Sequence, residues 1–246
     1  MFVKYISIIF LSFYMAGCGG GDELSDDLRT SKMYAEFEVV ADTEYGYSEV
    51  FSRLRERNQS GKYIRLGEQD TFWAERDGER KELLPAALIF SYSSNYSESF
   101  GGAAENTVYS ISLNRENHAD AANSMATLPA PFEIDFPSDG STFQRSGDIT
   151  FIWTPGQPDW TMEIRTIIYC DNGVRGETIF EFDDADGMGV LSPEEHSPPA
   201  VFEYDGDCSF NAIFSRINEG SIDVNFAGGY FNAIQRRGIY ITATGG

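Results

Sequence analysis

The sequence predicts an all-β protein: two β-sandwich domains behind an export leader and a flexible tether. Three observations carry that expectation. Aromatic residues make up 14% of the chain beside 24 glycines, a composition suited to pleated, half-buried surfaces and the turns between them. Apolar residues recur at every second position in short runs, and the 3.6-residue spacing of an amphipathic helix is scarce. Turn residues break these runs about every 8–12 positions, the rhythm of a sandwich or barrel.

Residues 1–17 have the parts of an export signal. Lys4 and the α-amino group supply the positive end, Tyr5 to Met15 carry no charge, and Ala16-Gly17 place small residues before Cys18. The apolar run is shorter than the ~20 residues a membrane span needs. The stretch Phe10-Leu-Ser-Phe-Tyr-Met-Ala-Gly-Cys18 resembles the lipobox of bacterial lipoproteins, with Met15 where that family usually has Leu. A plain secretory peptide with Cys18 unmodified is the rival reading. The resemblance implies cleavage before Cys18, a diacylglyceryl group on its sulfur and a fatty acid such as palmitate on its new amine. The lipid bilayer is then a partner through acylated Cys18. Gly19, where an Asp would retain the product at the inner membrane, favours the outer membrane, on either its periplasmic or its cell-surface face. Residues 18–33 read as a tether, since Gly19 to Lys32 is acidic and Gly-rich with only Leu24 and Leu28 as large apolar residues.

Net charge limits the partners. The chain has 18 basic and 39 acidic residues. Residues 1–17 include one Lys and no acid, so the remainder carries 17 basic against 39 acidic residues, a net −22. Such a surface repels phosphate backbones, which argues against nucleic-acid binding. With Cys18 assigned to lipid, Cys170 and Cys208 remain as an even pair in an oxidising compartment, and a structural disulfide is expected.

Residues 34–128 are expected to form the first sandwich domain. Ala35, Phe37 and Val39 share one strand face, and Val50, Ser52 and Leu54 share another, with Phe51, Arg53 and Arg55 opposite. Lys62 to Leu66 returns after the turn Asn58-Gln-Ser-Gly61. Thr71 to Arg76 follows, then the hairpin signal Asp77-Gly78. Ala86 to Tyr92 and Thr107 to Asn114 read as strands, Ser93 to Ala104 as a polar loop, and Glu116 to Ala126 as a short helical turn. Leu128-Pro-Ala-Pro-Phe132 is the expected boundary, because two prolines at alternate positions break a strand ladder.

Residues 129–246 are expected to form the second domain. Ile134 to Phe143 and Asp148-Ile-Thr-Phe-Ile-Trp-Thr-Pro155 resemble the opening strands of immunoglobulin-like or fibronectin type III modules. That resemblance implies a sandwich with Trp153 in its core. Thr161 to Cys170, Glu177 to Phe182, Cys208 to Arg216 and Gly238 to Thr244 are the remaining strands, with Gly220 to Gly229 as a long loop.

Candidate sites are few. Asp184-Ala-Asp-Gly-Met-Gly-Val-Leu-Ser-Pro-Glu-Glu195 matches a calcium loop at Asp184, Asp186 and Glu195, but Met188 stands where an oxygen ligand is needed. An acidic hairpin loop is the plainer reading and is preferred, so no metal is expected. Only His118 and His196 could serve histidine chemistry, and neither GxSxG nor HExxH occurs. The expectation is a non-enzymatic protein without cofactor, acting through an unknown protein or glycan partner. Glycan binding is the alternative, through aromatics such as Trp160 in Pro155-Gly-Gln-Pro-Asp-Trp160, with Tyr92 and Tyr96 flanking another loop.

Overall fold

Strand Met33–Asp42 shows how the alternation is used: Met33, Ala35, Phe37, Val39 and Ala41 are fully buried, while Tyr34, Glu36 and Glu38 face the other way. The same two-residue period places Val50 and Leu54 in the core beside them and leaves Arg53 and Arg55 opposite. The computed structural model describes residues 23–42, 46–85, 95–102, 104–196, 201 and 206–245. Within these the chain is all-β, its helix limited to short segments of three or four residues and the single residue Val201. Cys18, the leader, Tyr92 and the expected strand Ala86–Tyr92 lie outside the described residues.

The described residues form two compact units, one from residues 23–130 together with 218–235, the other from residues 131–217 together with 236–245. Residues 218–235 therefore return to the first unit, although they follow the proline boundary in sequence.

In the first unit, Met33–Asp42 pairs antiparallel along its whole length with Tyr47–Glu56. Tyr47–Glu56 also pairs with Tyr63–Arg65 and with Asn95–Gly101. A second sheet runs Ala121–Thr127, Val108–Asn114, Thr71–Arg76, Glu79–Glu82. Asp77 and Gly78, both at positive φ (51° and 80°), turn the last pair as the sequence predicts. Phe37 holds the core together, meeting the edges of Phe72, Phe226 and Phe231 at centroid distances of 5.7 to 5.8 Å.

Three expectations in this unit are corrected. Residues 121–127 form a strand rather than part of a helical turn, because pairing with Val108–Asn114 buries Ala121, Ser124 and Ala126 and outweighs the helix propensity of the alanines. Asn95–Gly101 is a strand rather than loop, paired on Tyr47–Arg53. Residues 23–33 are not a free tether. Glu23–Leu24 pairs in parallel with Ile64–Arg65, two single-turn helices follow, and Ser25 and Thr30 are buried.

In the second unit, Thr161–Cys170 is the central strand, paired with Arg175–Asp183 on one side and Cys208–Ile217 on the other. Thr142–Gln144 pairs in parallel with Thr242–Thr244. The opposing sheet is Ile134–Phe136, Ile149–Trp153, Met188–Leu191. Trp153 is buried in the core with Phe151, Ile164, Phe210 and Phe214, the place expected for it. Cys170 and Cys208 stand directly opposite each other in register and form a disulfide, with Cα atoms 4.2 Å apart.

Candidate functional site

The most elaborately built polar cluster of the second unit centres on Asp184. The chain turns at Asp184–Asp186, where the Asp183 carboxylate accepts from the Ala185 N–H at 3.0 Å. That turn carries the Asp184 side chain fully inside, and Arg216 meets it from strand Cys208–Glu219, Nε to Oδ2 at 2.7 Å. Arg216 Nη2 also donates to Asp184 Oδ1 at 3.2 Å and to the Thr154 carbonyl, and Nη1 donates to the Pro131 carbonyl at 3.3 Å. The guanidinium lies 4.9 Å over Phe132 and 5.8 Å over Trp160. Burial pushes the Asp184 carboxyl up from its ordinary value, against the opposing pull of Arg216 and Trp153.

Backbone groups complete the enclosure. Trp153 Nε1 donates to the Asp184 carbonyl at 3.2 Å, and Asp184 N donates to the Trp160 carbonyl at 3.1 Å. Gly156 is packed so closely that a Cβ there would fall inside the Asp184 carboxylate and 2.9 Å from the Trp160 ring. A paired, enclosed carboxylate of this kind is a structural clamp. It fastens the loop Pro155–Trp160 to the end of the sheet.

The three carboxylates of the calcium alternative stand in different surroundings. Asp184 is engaged by Arg216. Glu195 instead accepts from Ser192 N at 2.7 Å and Ser192 Oγ at 2.9 Å, capping the short helix Pro193–His196. Asp186 is exposed. Among the described residues no three His, Cys, Asp or Glu side chains are grouped to hold a metal ion.

The aromatic candidates are also occupied. Trp160 is half-buried against Arg216 and Gly156. Tyr96 is a core residue whose hydroxyl accepts from Leu66 N at 2.8 Å. His118 contacts the Asp26 carbonyl at 3.2 Å. His196, placed by sequence in a surface-like loop, is fully buried between Phe143 and Phe210 with Nε2 3.0 Å from the Gly147 carbonyl.

Sequence reasoning missed two clusters in the first unit. Arg115 and Asp70 form a second enclosed pair, Nε to Oδ2 at 3.0 Å, with side chains 0% and 3% exposed. On the outer face of Met33–Asp42 and Tyr47–Glu56, Arg53 and Arg55 converge on Glu36 at 3.6 and 2.8 Å. Their guanidinium carbons also lie 5.3 and 4.1 Å from the centroid of Tyr63. Tyr230 beside them is held above its ordinary pKa by burial and by Glu38 and Glu36. The available signal was the alternation itself, which sets Arg53 and Arg55 opposite Glu36 and Tyr34 in register.

These two units, each cored by facing sheets and each closed by a buried carboxylate–arginine pair, define an all-β sandwich protein. No protein-family model and no curated protein matches the chain. Similar solved structures are immunoglobulin-like and fibronectin type III-like modules. A two-domain fibronectin type III segment from chicken tenascin is 13% identical, at TM-score 0.24 over 85% of this chain and 97% of that one. The fibronectin(III)-like modules of Clostridium thermocellum CbhA are 9% identical, at TM-score 0.24 over 86% and 90%. A cytokine receptor complex chain is 10% identical, at TM-score 0.26 over 85% and 96%.

Proposed function

We propose that this chain is a membrane-anchored bacterial lipoprotein, non-enzymatic, acting through interaction or as a structural element at the outer membrane. One observation carries the reading. The Cys170–Cys208 bridge uses two of the three cysteines, which leaves Cys18 as the sole remaining thiol of the sequence, behind an apolar leader and five residues ahead of the first described strand. A bridged pair suits an exported protein, and thioether attachment of lipid uses a single unpaired cysteine. The buried pairs Asp184–Arg216 and Asp70–Arg115 further support a structural role, since both hold loops in place.

Metabolic labelling with a fatty-acid analogue tests this. The wild-type chain should take up label and fractionate with membranes, and Cys18→Ser should lose both. Label retained by Cys18→Ser, or absent from the wild type, would overturn the reading.

A further inference from the structure

Residues 23–33 are docked, and this limits how far an anchor at Cys18 can stand from the protein. Only Gly19, Gly20, Gly21 and Asp22 separate Cys18 from Glu23. Five Cα–Cα steps span at most ~18 Å even when extended. Glu23 is itself fixed, pairing with Ile64 while Leu24 pairs with Arg65. The pairing is parallel, so the N-terminal side of Glu23 faces the Tyr63 end of its neighbour. At that end stands the turn Arg57–Lys62, closed by Glu56 N donating to the Lys62 carbonyl at 2.9 Å. Lys32 joins the same tip, because Arg57 N donates to its carbonyl at 2.7 Å.

The tip differs in charge from the rest of the molecule. Residues 53–65 contain Arg53, Arg55, Arg57, Lys62 and Arg65 against the single acid Glu56, in a chain whose net charge is −21. Arg57 is 69% exposed even with Glu56 at 3.2 Å, and Lys32 and Lys62 are exposed. Of the nearby acids, Glu36 is taken up by Arg53 and Arg55, Glu23 lies beside Ile64, and Asp26 sits against Gly67 at the other end of the short strand. Anionic headgroups attract basic residues held within about one Debye length, ~10 Å, and repel the acidic body behind them.

Resting on the lipoprotein reading for the anchor itself, we infer that the tip Lys32, Arg57 and Lys62 docks on the anionic phospholipid headgroups of the membrane holding Cys18. The short connection delivers these cations to the lipid phosphates, and the acidic body is directed away from the surface.

The test uses the chain from Cys18 onward, which keeps every described residue. With Cys170 and Cys208 bridged, Cys18 alone reacts with a maleimide phospholipid, in vesicles of phosphatidylcholine alone or mixed with phosphatidylglycerol. Amide exchange over residues 55–65 should slow by roughly fivefold or more on the anionic vesicles, with strand Arg175–Asp183 unchanged. The variant K32E/R57E/K62E, shown folded by circular dichroism, should lose that protection. Equal exchange on the two vesicle types, or protection that survives the charge reversal, would overturn the docking. Chemical coupling replaces cellular acylation, so a chain that cells fail to lipidate sinks the lipoprotein reading without altering this measurement.

Discussion

Arg115 and Asp70, 45 residues apart in sequence, close a buried ion pair that fastens the N-terminal segment to the first unit. Arg115 also donates to the carbonyls of Ser25 and Leu28 at 2.6 and 2.9 Å, while Ser25 Oγ donates to the same Asp70 oxygen at 2.6 Å. One guanidinium thus satisfies backbone groups of a segment with few apolar anchors of its own. Removing one partner leaves the other charge buried and unpaired, which costs roughly 3–5 kcal/mol. Arg115→Met should destabilise the chain by that order in chemical denaturation and raise amide exchange throughout residues 23–33. Unchanged exchange there would show that the segment is held by its short strand alone.

A second prediction concerns Gly156. Any side chain there must displace the Asp184 carboxylate or the Trp160 ring, so Gly156→Ala should destabilise the second unit by a few kcal/mol, in the range of a broken buried pair. Trp160→Ala should likewise lower the melting temperature, because it removes packing around Arg216. If Trp160→Ala melts like the wild type and instead abolishes binding on a glycan array, Trp160 belongs to a ligand site and not to the clamp.

The Cys170–Cys208 bridge closes a sequence separation of 38 residues. The chain-entropy model assigns such a loop roughly 4 kcal/mol. Cys170→Ser with Cys208→Ser should lower the denaturation midpoint accordingly, with the native strand register kept. A midpoint within error of the oxidised protein would show that the bridge adds no stability.

His196 gives a pH dependence of definite sign. Burial lowers its pKa, outweighing the Gly147 carbonyl and the carboxylates of Asp148 and Glu195. The unfolded chain therefore takes up a proton at higher pH than the folded protein does. The stability associated with the neutral ring is full above its unfolded pKa of about 6.5 and declines as pH falls from there toward the folded-state value. Between about pH 7 and about pH 5, the wild type should lose more stability than His196→Phe. Parallel melting curves for the two proteins would remove His196 as the cause.

Much of the fold was legible because a strand writes its burial every second residue. The buried sets Tyr109, Ile111, Leu113 and Met162, Ile164, Ile168 are those that the alternation selects. The misread segments carry no such period. Residues 23–33 are polar, and they dock through carbonyls that accept from Arg115, a bond that any sequence could offer. Residues 121–127 have alanines where a strand usually has β-branched residues. The clamps were invisible for a related reason. Asp184 and Arg216 lie 32 residues apart, and each reads on its own as a surface charge.

The return of residues 218–235 to the first unit has a consequence for the order of synthesis. A chain synthesised from its N-terminus has residues 33–130 in place long before Phe226 and Phe231 arrive. Yet both of those rings pack directly on Phe37. Until they emerge, the first unit lacks two walls of its aromatic core, and its nascent sheets leave apolar surface uncovered. Completion of this unit is therefore a late event that waits for the chain beyond Phe231, and until then its uncovered apolar surface is one that a chaperone would bind.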